Sequence, residues 1–600
     1  MEIVTLTITI NGQTIKAPFG STILQAARQA GIDIPTLCNH PALVPVGACR
    51  VCLVEVKGQR NLQPACTFPV VDGMEVQTET PALVKARKFV IDMLFSQRNH
   101  FCMFCEMSGK CELQDLGYRY GIDHWIYSTY TKRFPVDATS PYFLLDHNRC
   151  VLCSRCLRAC DELPVNRTLG LGQRGADSMI CADGIAPLGS STCISCGSCV
   201  QVCPTGALFE KHSAFMGTDE KMSCTKSICS FCSIGCGMTI VTRGDQVQRI
   251  ESDWEAPVNG GRLCRKGRFE PLYDGRKRLT TPLVRRNGKL AEADWDEALQ
   301  IASEHIGRTD AAALGALSSG DATNEALYLF QRLFRRELGA AGAGLLRGGI
   351  SRLTGMKPGK LSDLENSDLI LLIGADPTKD QPVASFLIKR ALDKGAKLVI
   401  VDDRENSLSP FAWQTVPSGD LDKLLVMAVQ ASRPVVLHGA EMTADAAKSL
   451  MQLGKKAVAI ALEPAGNGCA ARALGFQNGL PSGTHRLLYI LLGEEKDIGE
   501  NLQQAIAPDA FLIVQASYTS PLAEKAHVLL PSAIWSERDG TLTNTEGRVQ
   551  RARKAREPLG ESRQDWEILA LLADRLGRKM GESFDDISAQ TVREVQGKEI

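Results

Sequence analysis

The stretches CVLCSRCLRAC (150–160) and CISCGSCVQVCPTGA (193–207) decide how this chain is read. Each spaces its cysteines C-x2-C-x2-C-x3-C, and Pro204 follows the last cysteine of the second run. The surrounding segment, 138–217, is short, cysteine-dense and loop-rich, so bound metal is expected to do there what a hydrophobic core does elsewhere. Working outward, the chain has 22 cysteines, and all but Cys469 lie before residue 265. The N-terminus MEIVTLTITINGQTIKAPFG has neither the basic start nor the continuous apolar run of a signal peptide. No apolar stretch is long enough to span a bilayer. A cytoplasmic protein without direct membrane insertion is expected, and in a reducing compartment clustered cysteines point to metal ligation over disulfides.

The paired runs resemble bacterial two-cluster ferredoxins, in which the fourth cysteine of each run ligates the other cluster. That resemblance implies one 4Fe-4S cube on Cys150, Cys153, Cys156 and Cys203, and another on Cys193, Cys196, Cys199 and Cys160. Cys181, between the runs, is expected to be a buried small hydrophobe. Upstream, Cys38, Cys49, Cys52 and Cys66 are spaced C-x10-C-x2-C-x13-C. Loops can gather four thiolates so spaced around two irons, with a structural zinc ion as the alternative. Placed after a β-β-α start, the group resembles the 2Fe-2S ferredoxin domain of respiratory and hydrogenase subunits.

NHFCMFCEMSGKCELQDL (99–116) carries Cys102, Cys105 and Cys111, with His100 just upstream. Three thiolates leave one iron of a cube open, and an imidazole can fill that place. The spacing and the CELQ tail resemble the segment that holds a cluster by one histidine and three cysteines in the large iron-sulfur subunit of NADH dehydrogenase. That family places the histidine four residues before the first cysteine, where this chain has Arg98; His100 is expected to serve instead. SICSFCSIGCG (227–237) supplies Cys229, Cys232 and Cys236, one thiolate short of a cube, and Cys264 in GGRLCRKGRFEP (260–271) completes it. This group resembles the 4Fe-4S domain at the front of molybdenum and tungsten bis-pterin oxidoreductases. The resemblance implies that Lys266 lies between cluster and cofactor; Cys224 is expected to be a bystander.

Lys+Arg and Asp+Glu both total 68, so there is no electrostatic footprint for nucleic acid. The length requires several domains. The expected fold is multidomain, α+β and α/β: a β-grasp 2Fe-2S ferredoxin (1–78), the one-histidine/three-cysteine segment (79–118), a two-cluster 4Fe-4S ferredoxin (138–217), a 4Fe-4S domain of the bis-pterin type (222–278), and a doubly wound parallel region (279–600). A hairpin is expected at Asn11-Gly12, a helix from an N-cap at Ser21 to a stop at Gly31, and a helix over Pro81–Arg98 with Val84, Val90, Met93 and Leu94 on one face. Asp294-x-x-Glu297 reads as a helix start carrying Trp295, Ala298, Leu299 and Ala302. DLILLIG (368–374), KLVIVD (397–402), RPVVLHG (433–439) and KKAVAIA (455–461) alternate with helices, which argues for a parallel sheet.

The segments 318–333, 371–408 and 528–550 resemble the pterin-domain frame of the bis-pterin enzymes, in whose active members an Asp-Arg pair, here Asp403-Arg404, helps hold a pterin dinucleotide. Formate dehydrogenase relatives place a Cys or selenocysteine followed by His past the ATNE motif (322–325). Here no Cys lies between Cys264 and Cys469 and no His between His305 and His438; Ser351 is the remaining oxygen ligand, with neighbours that do not match. The chain ends at Ile600 without the further pterin-binding domain of such enzymes, so a truncated frame with no molybdenum or tungsten pterin is expected.

As a whole the chain resembles the large iron-sulfur subunit of the NADH dehydrogenase family and its hydrogenase and formate dehydrogenase cousins. The resemblance implies one 2Fe-2S and four 4Fe-4S clusters that carry single electrons and no catalytic residue of the chain's own. It implies three partners: an NADH-oxidising flavoprotein, a small thioredoxin-like 2Fe-2S subunit, and a terminal hydrogenase, formate dehydrogenase or other reductase. No G-x-G-x-x-G follows a strand, so hydride chemistry is expected on the flavoprotein. The rival reading is a catalytic molybdenum or tungsten subunit of the formate dehydrogenase type.

Overall fold

Asn11 and Gly12, both at positive φ (51° and 82°), turn strand Thr5–Ile10 back onto Gln13–Pro18 as the Asn-Gly pair demands. The computed structural model describes residues 4–127, 132–346, 353, 355–479, 485–496, 506–507, 509–581 and 583–596. It divides into two compact units, Met1–Met222 and Ser223–Ile600.

In the first unit the hairpin opens a five-stranded sheet in the order Gln13–Pro18, Thr5–Ile10, Glu75–Gln77, Leu53–Val56, Gln63–Pro64. Ile8, Ile10, Ile23, Leu24 and Val54 close its core. The helix is Ile23–Gln29, and its N-cap is Thr22, not Ser21. Gln25 explains the difference: standing three residues after Thr22, it accepts from the Thr22 N–H at 2.8 Å while its own N–H donates to the Thr22 hydroxyl at 3.3 Å. The residue three after Ser21 is Leu24, which cannot reciprocate.

The next helix, Pro81–Gln97, is capped by Thr80. Its inward face is Leu83, Arg87, Ile91 and Phe95, and not the face expected: Met93 is exposed, and Val84, Val90 and Leu94 are only half-buried. Arg87 sets this rotation. Its fully buried guanidinium donates to the carbonyls of Leu53 (2.7 Å) and Thr78 (2.8 Å), to Glu79 (2.8 Å) and to Tyr120 (3.1 Å), so the helix turns a charged residue inward. Beyond it, helix Arg155–Glu162 carries Cys156 and Cys160, and the short helix Ser198–Gln201 carries Cys199.

The second unit opens with an antiparallel sheet of Ser223–Ile228, Gly237–Arg243 and Gln246–Ser252. A six-stranded, wholly parallel sheet runs in the order Lys357–Pro358, Val458–Ala461, Pro434–His438, Leu369–Ile373, Lys397–Val401, Gln414–Val416. All four strands read from the alternating pattern lie in it. Where one doubly wound region was expected, a second, eight-stranded sheet is also present. Its parallel centre is Val528–Pro531, Phe511–Ala516, Leu487–Gly493 and Leu314–Ser318, and an antiparallel hairpin, Leu283–Arg286 with Lys289–Glu292, extends it. The six-stranded sheet is an insertion between Leu314–Ser318 and its neighbour Leu487–Gly493. Helix Trp295–Arg308, capped by Asp294, buries Trp295, Ala298, Leu299 and Ala302 against the eight-stranded sheet, as its pattern required.

Candidate metal centres

The first cysteine group is a knot of four thiols. Backbone N–H groups tie it, Cys38 donating to the Cys49 sulfur at 3.3 Å and Cys49 to the Cys38 sulfur at 3.5 Å. Hydrogen bonds from Cys49 and Cys66 hold the Cys38 thiol well below its usual range, and Cys66 does the same for Cys52. Gly47 and Arg50, both at positive φ, bend the loop that carries Cys49.

The two ferredoxin-like runs wrap in the same way. Leu152 and Ser154 in the first, and Ser195 and Gly197 in the second, stand at equivalent places and all adopt left-handed backbone. Leu152 and Ser195 each donate N–H to the sulfur two residues back, at 3.4 Å. Burial and then the nearby Cys203 raise Cys153; burial, then Cys153, Cys150 and Cys203, raise Cys156. Burial, then Cys196, Cys193 and Cys160, raise Cys199. Each run's fourth cysteine therefore stands with the other run's first three. Cys160, Cys193, Cys196 and Cys199 line one cavity of about 420 Å³ closed by Phe143, Leu169 and Leu208. Cys181 lies outside it, buried in strand Met179–Ala182 against Gly172.

His100, Cys102, Cys105 and Cys111 line a second cavity of about 310 Å³, together with Arg149, Thr205 and Gly206. His100 is 8% exposed and its Nε2 has no hydrogen-bond partner among the described residues. Burial, with help from Arg149, pulls its pKa down to about 4, so the imidazole is neutral and its lone pair free for a metal. Arg98 is engaged elsewhere, its guanidinium lying 3.5 Å from the centre of the Phe134 ring and donating to the Ser178 carbonyl. Burial pushes Cys111 up to about 12. The sequence reading missed Gly206: a Cβ there would stand 2.5 Å from the Cys105 sulfur.

In the second unit Cys229, Cys232, Cys236 and Cys264 are all buried. Burial and then Cys264 raise Cys232 to about 12, and Cys229 and Cys236 also feel Cys264. Lys266, half-buried on the short helix Arg265–Arg268, bears on Cys232 and Cys264 and favours their thiolates. Gly267 is a second residue the sequence reading missed, since a Cβ there would meet the Cys229 sulfur at 3.0 Å. Cys224 is exposed on strand Ser223–Ile228.

In the pterin-like frame, Asp403 accepts the Ser418 N–H at 2.9 Å, and Arg404 pairs with Glu441 and Asp402. The ATNE motif is spent on packing. Asn324 donates to Thr541 and Thr543, each at 3.0 Å, and buried Glu325 accepts from the Thr541 N–H and hydroxyl, each at 2.8 Å. A cavity of about 290 Å³, lined by Ser230, Asp321, Glu494, Arg538 and Asp565, opens beyond strands Leu314–Ser318 and Leu487–Gly493. Ser351 lies outside the described residues.

Five family models match along the chain. A 2Fe-2S iron-sulfur cluster binding domain matches residues 4–81, the NADH-ubiquinone oxidoreductase-G iron-sulfur binding region 87–125, and the ferredoxin-like domain of NADH-quinone oxidoreductase subunit 3 140–209. A molybdopterin oxidoreductase Fe4S4 domain matches 222–272 and molybdopterin oxidoreductase 278–575. The chain carries the iron-sulfur domains of the large NADH dehydrogenase subunit and a molybdopterin oxidoreductase domain. It is 29% identical to an NADH-quinone oxidoreductase subunit of Rhizobium meliloti over 97% of this chain and 80% of the relative. It is also 29% identical to the mitochondrial NADH-ubiquinone oxidoreductase 78 kDa subunit of Candida albicans, over 98% of this chain and 84% of that one. With the NADPH-Fe(3+) oxidoreductase subunit alpha of Geobacter sulfurreducens it shares 28% identity over 95% and 81%. Among the described residues no helix is long and apolar enough to cross a membrane.

Proposed function

We propose that the chain is the electron-transfer subunit of an NAD(P)H-linked multisubunit oxidoreductase. It relays single electrons through one 2Fe-2S and four 4Fe-4S clusters between a flavoprotein and a terminal redox partner. The cysteine sets above, with His100, are the proposed ligands. The observation that carries this reading is the way the ligand loops of the first unit are tied to one another. Arg158, on the helix between Cys156 and Cys160, donates to the carbonyls of Cys38 and Val44. Glu112, beside Cys111, forms a two-pronged bond (2.5 and 2.7 Å) with Arg155, beside Cys156. Thr205, two residues past Cys203, donates to the Arg149 carbonyl, beside Cys150, at 2.8 Å.

When bound, iron-sulfur clusters supply one-electron steps at potentials set by ligands, charge and hydrogen bonds. The chain's residues fix the sulfurs, bury those of Cys38, Cys52, Cys66, Cys150, Cys153 and Cys156 among others, and keep successive ligand loops in contact. His100 with Cys102, Cys105 and Cys111 line one cavity, and Cys160 with Cys193, Cys196 and Cys199 line another, which supports a four-ligand group at each. Hydride chemistry is assigned to a flavoprotein partner, assisted by a small thioredoxin-like 2Fe-2S subunit, with a hydrogenase, formate dehydrogenase or other reductase at the far end. The names of the relatives, which are subunits of NADH- or NADPH-linked oxidoreductases, support that assignment.

One observation favours the second reading, a molybdenum or tungsten subunit: the molybdopterin oxidoreductase match over 278–575. Against it stand the spent ATNE motif and the missing Cys-His pair. The test is dye reduction by NADH. The isolated chain is expected to be inactive and to gain activity when the flavoprotein is added; rapid NADH oxidation by the chain alone contradicts the assignment. Equimolar molybdenum or tungsten with extractable pterin would establish the second reading.

A further inference from the structure

Arg149 stands in the wall between two of the proposed clusters. It is the residue before Cys150, and its side chain lines the cavity of His100, Cys102, Cys105 and Cys111. Its Nε donates to Asp146 at 2.9 Å and its Nη2 approaches the Phe104 carbonyl at 3.4 Å. Nη1 is buried with no hydrogen-bond partner among the described residues, and the guanidinium faces the Cys105 thiol. Gly206 leaves room for this approach, since a Cβ there would press on both the Cys105 sulfur (2.5 Å) and the Arg149 Cδ (3.4 Å). It pairs with Asp146, and His100 feels Arg149, Arg98 and Asp146.

A buried, unspent N–H donor carrying a permanent positive charge at a ligand sulfur has a definite electrochemical effect. Gaining one electron makes a cluster more negative by one charge, and a fixed cation beside it favours that state in a medium of low dielectric. Hydrogen bonds to the ligand sulfurs act in the same direction. We propose that Arg149 raises the reduction potential of the cluster held by His100, Cys102, Cys105 and Cys111. This rests on the reading that those four residues hold a 4Fe-4S cluster. Arg149 acts through Cys105 and is a positioning residue of the relay.

The experiment is an anaerobic potentiometric titration of the full chain, followed by electron paramagnetic resonance, for the wild type and for Arg149→Gln, Arg149→Met, Arg149→Lys and Asp146→Asn. Arg149→Gln is expected to lower the midpoint of this one cluster, changing its reduction equilibrium about tenfold, the size of one charge-assisted hydrogen bond. Arg149→Lys should retain most of the wild-type midpoint. Asp146→Asn keeps its capping oxygen but frees the guanidinium of its counter-charge, so the midpoint should rise. An unmoved midpoint in Arg149→Gln with full iron content overturns the proposal. If Arg149→Gln fails to hold the cluster, Arg149→Met decides: a fall in the midpoint upholds the proposal, and no change or a rise overturns it. Absence of this cluster's signal from the wild type itself refutes the ligand reading instead.

Discussion

Removing Glu112 tests whether the cluster loops of the first unit are braced as the structure indicates. Arg155 is 3% exposed and Glu112 is 45% exposed, and two bonds of 2.5 and 2.7 Å join them. Breaking a fully buried pair leaves an uncompensated charge and costs about 3–5 kcal/mol. Here water can reach the guanidinium through the space Glu112 vacates, and the Val202 carbonyl still approaches it at 3.4 Å, so Glu112→Ala should cost about 2 kcal/mol. In a unit spanning Met1–Met222 that corresponds to a fall in melting temperature of about 4–8 °C. Because Glu112 follows Cys111 and Arg155 precedes Cys156, the variant should also lose iron faster to a chelator, with the first losses from the clusters those loops serve. The control is Lys57→Ala, whose partner Glu75 and own side chain are 51% and 72% exposed; it should cost less than about 1 kcal/mol. Anaerobic calorimetry and visible absorbance during chelation measure both effects. If Glu112→Ala melts and loses iron like Lys57→Ala, the bracing argument is wrong.

Two further outcomes follow from the second unit. Cys264→Ser should abolish or destabilise one 4Fe-4S signal and leave the ferredoxin-like pair intact, because those ligands belong to a separate segment; an unchanged spectrum with full iron content would remove Cys264 from the ligand set. Burial lifts Glu494 from the ordinary carboxylate range to about 7, despite the nearby Arg538. A raised carboxyl contributes stability that is fully present below about pH 4.5 and is lost as pH rises through 7. Glu494→Gln should therefore stabilise the chain at pH 8 by up to about 3 kcal/mol and change little at pH 5, as read from melting temperatures at the two values; equal effects at both would contradict the shift.

The cysteine sets were legible because their spacing is local. C-x2-C-x2-C-x3-C restricts where each sulfur can point, and Cys264, read as the fourth thiolate for Cys229, Cys232 and Cys236, is buried close enough for all three to feel it. His100 was legible as the imidazole near Cys102, although it stands two residues before that cysteine where the family pattern has four, and the structure places it in the cavity of Cys102, Cys105 and Cys111. What packs against the ligands was not legible. Gly206 and Gly267 matter only because a sulfur from a distant segment lies where their Cβ would be, and nothing local announces that. Arg87 reversed the expected face of its helix because its partners, Leu53, Thr78, Glu79 and Tyr120, are mostly backbone or distant in sequence. The six-stranded sheet followed from alternation of strand and helix. The eight-stranded one did not, because Leu314–Ser318 pairs with Leu487–Gly493 across that whole insertion.

The central claim is that this chain holds five clusters and passes single electrons between them. Iron, sulfide and zinc analysis of anaerobically purified full-length chain, with electron paramagnetic resonance at graded reduction, tests it most directly. The account predicts about 18 irons per chain and signals from one two-iron and four four-iron clusters. A zinc-rich, iron-poor and colourless preparation would contradict it.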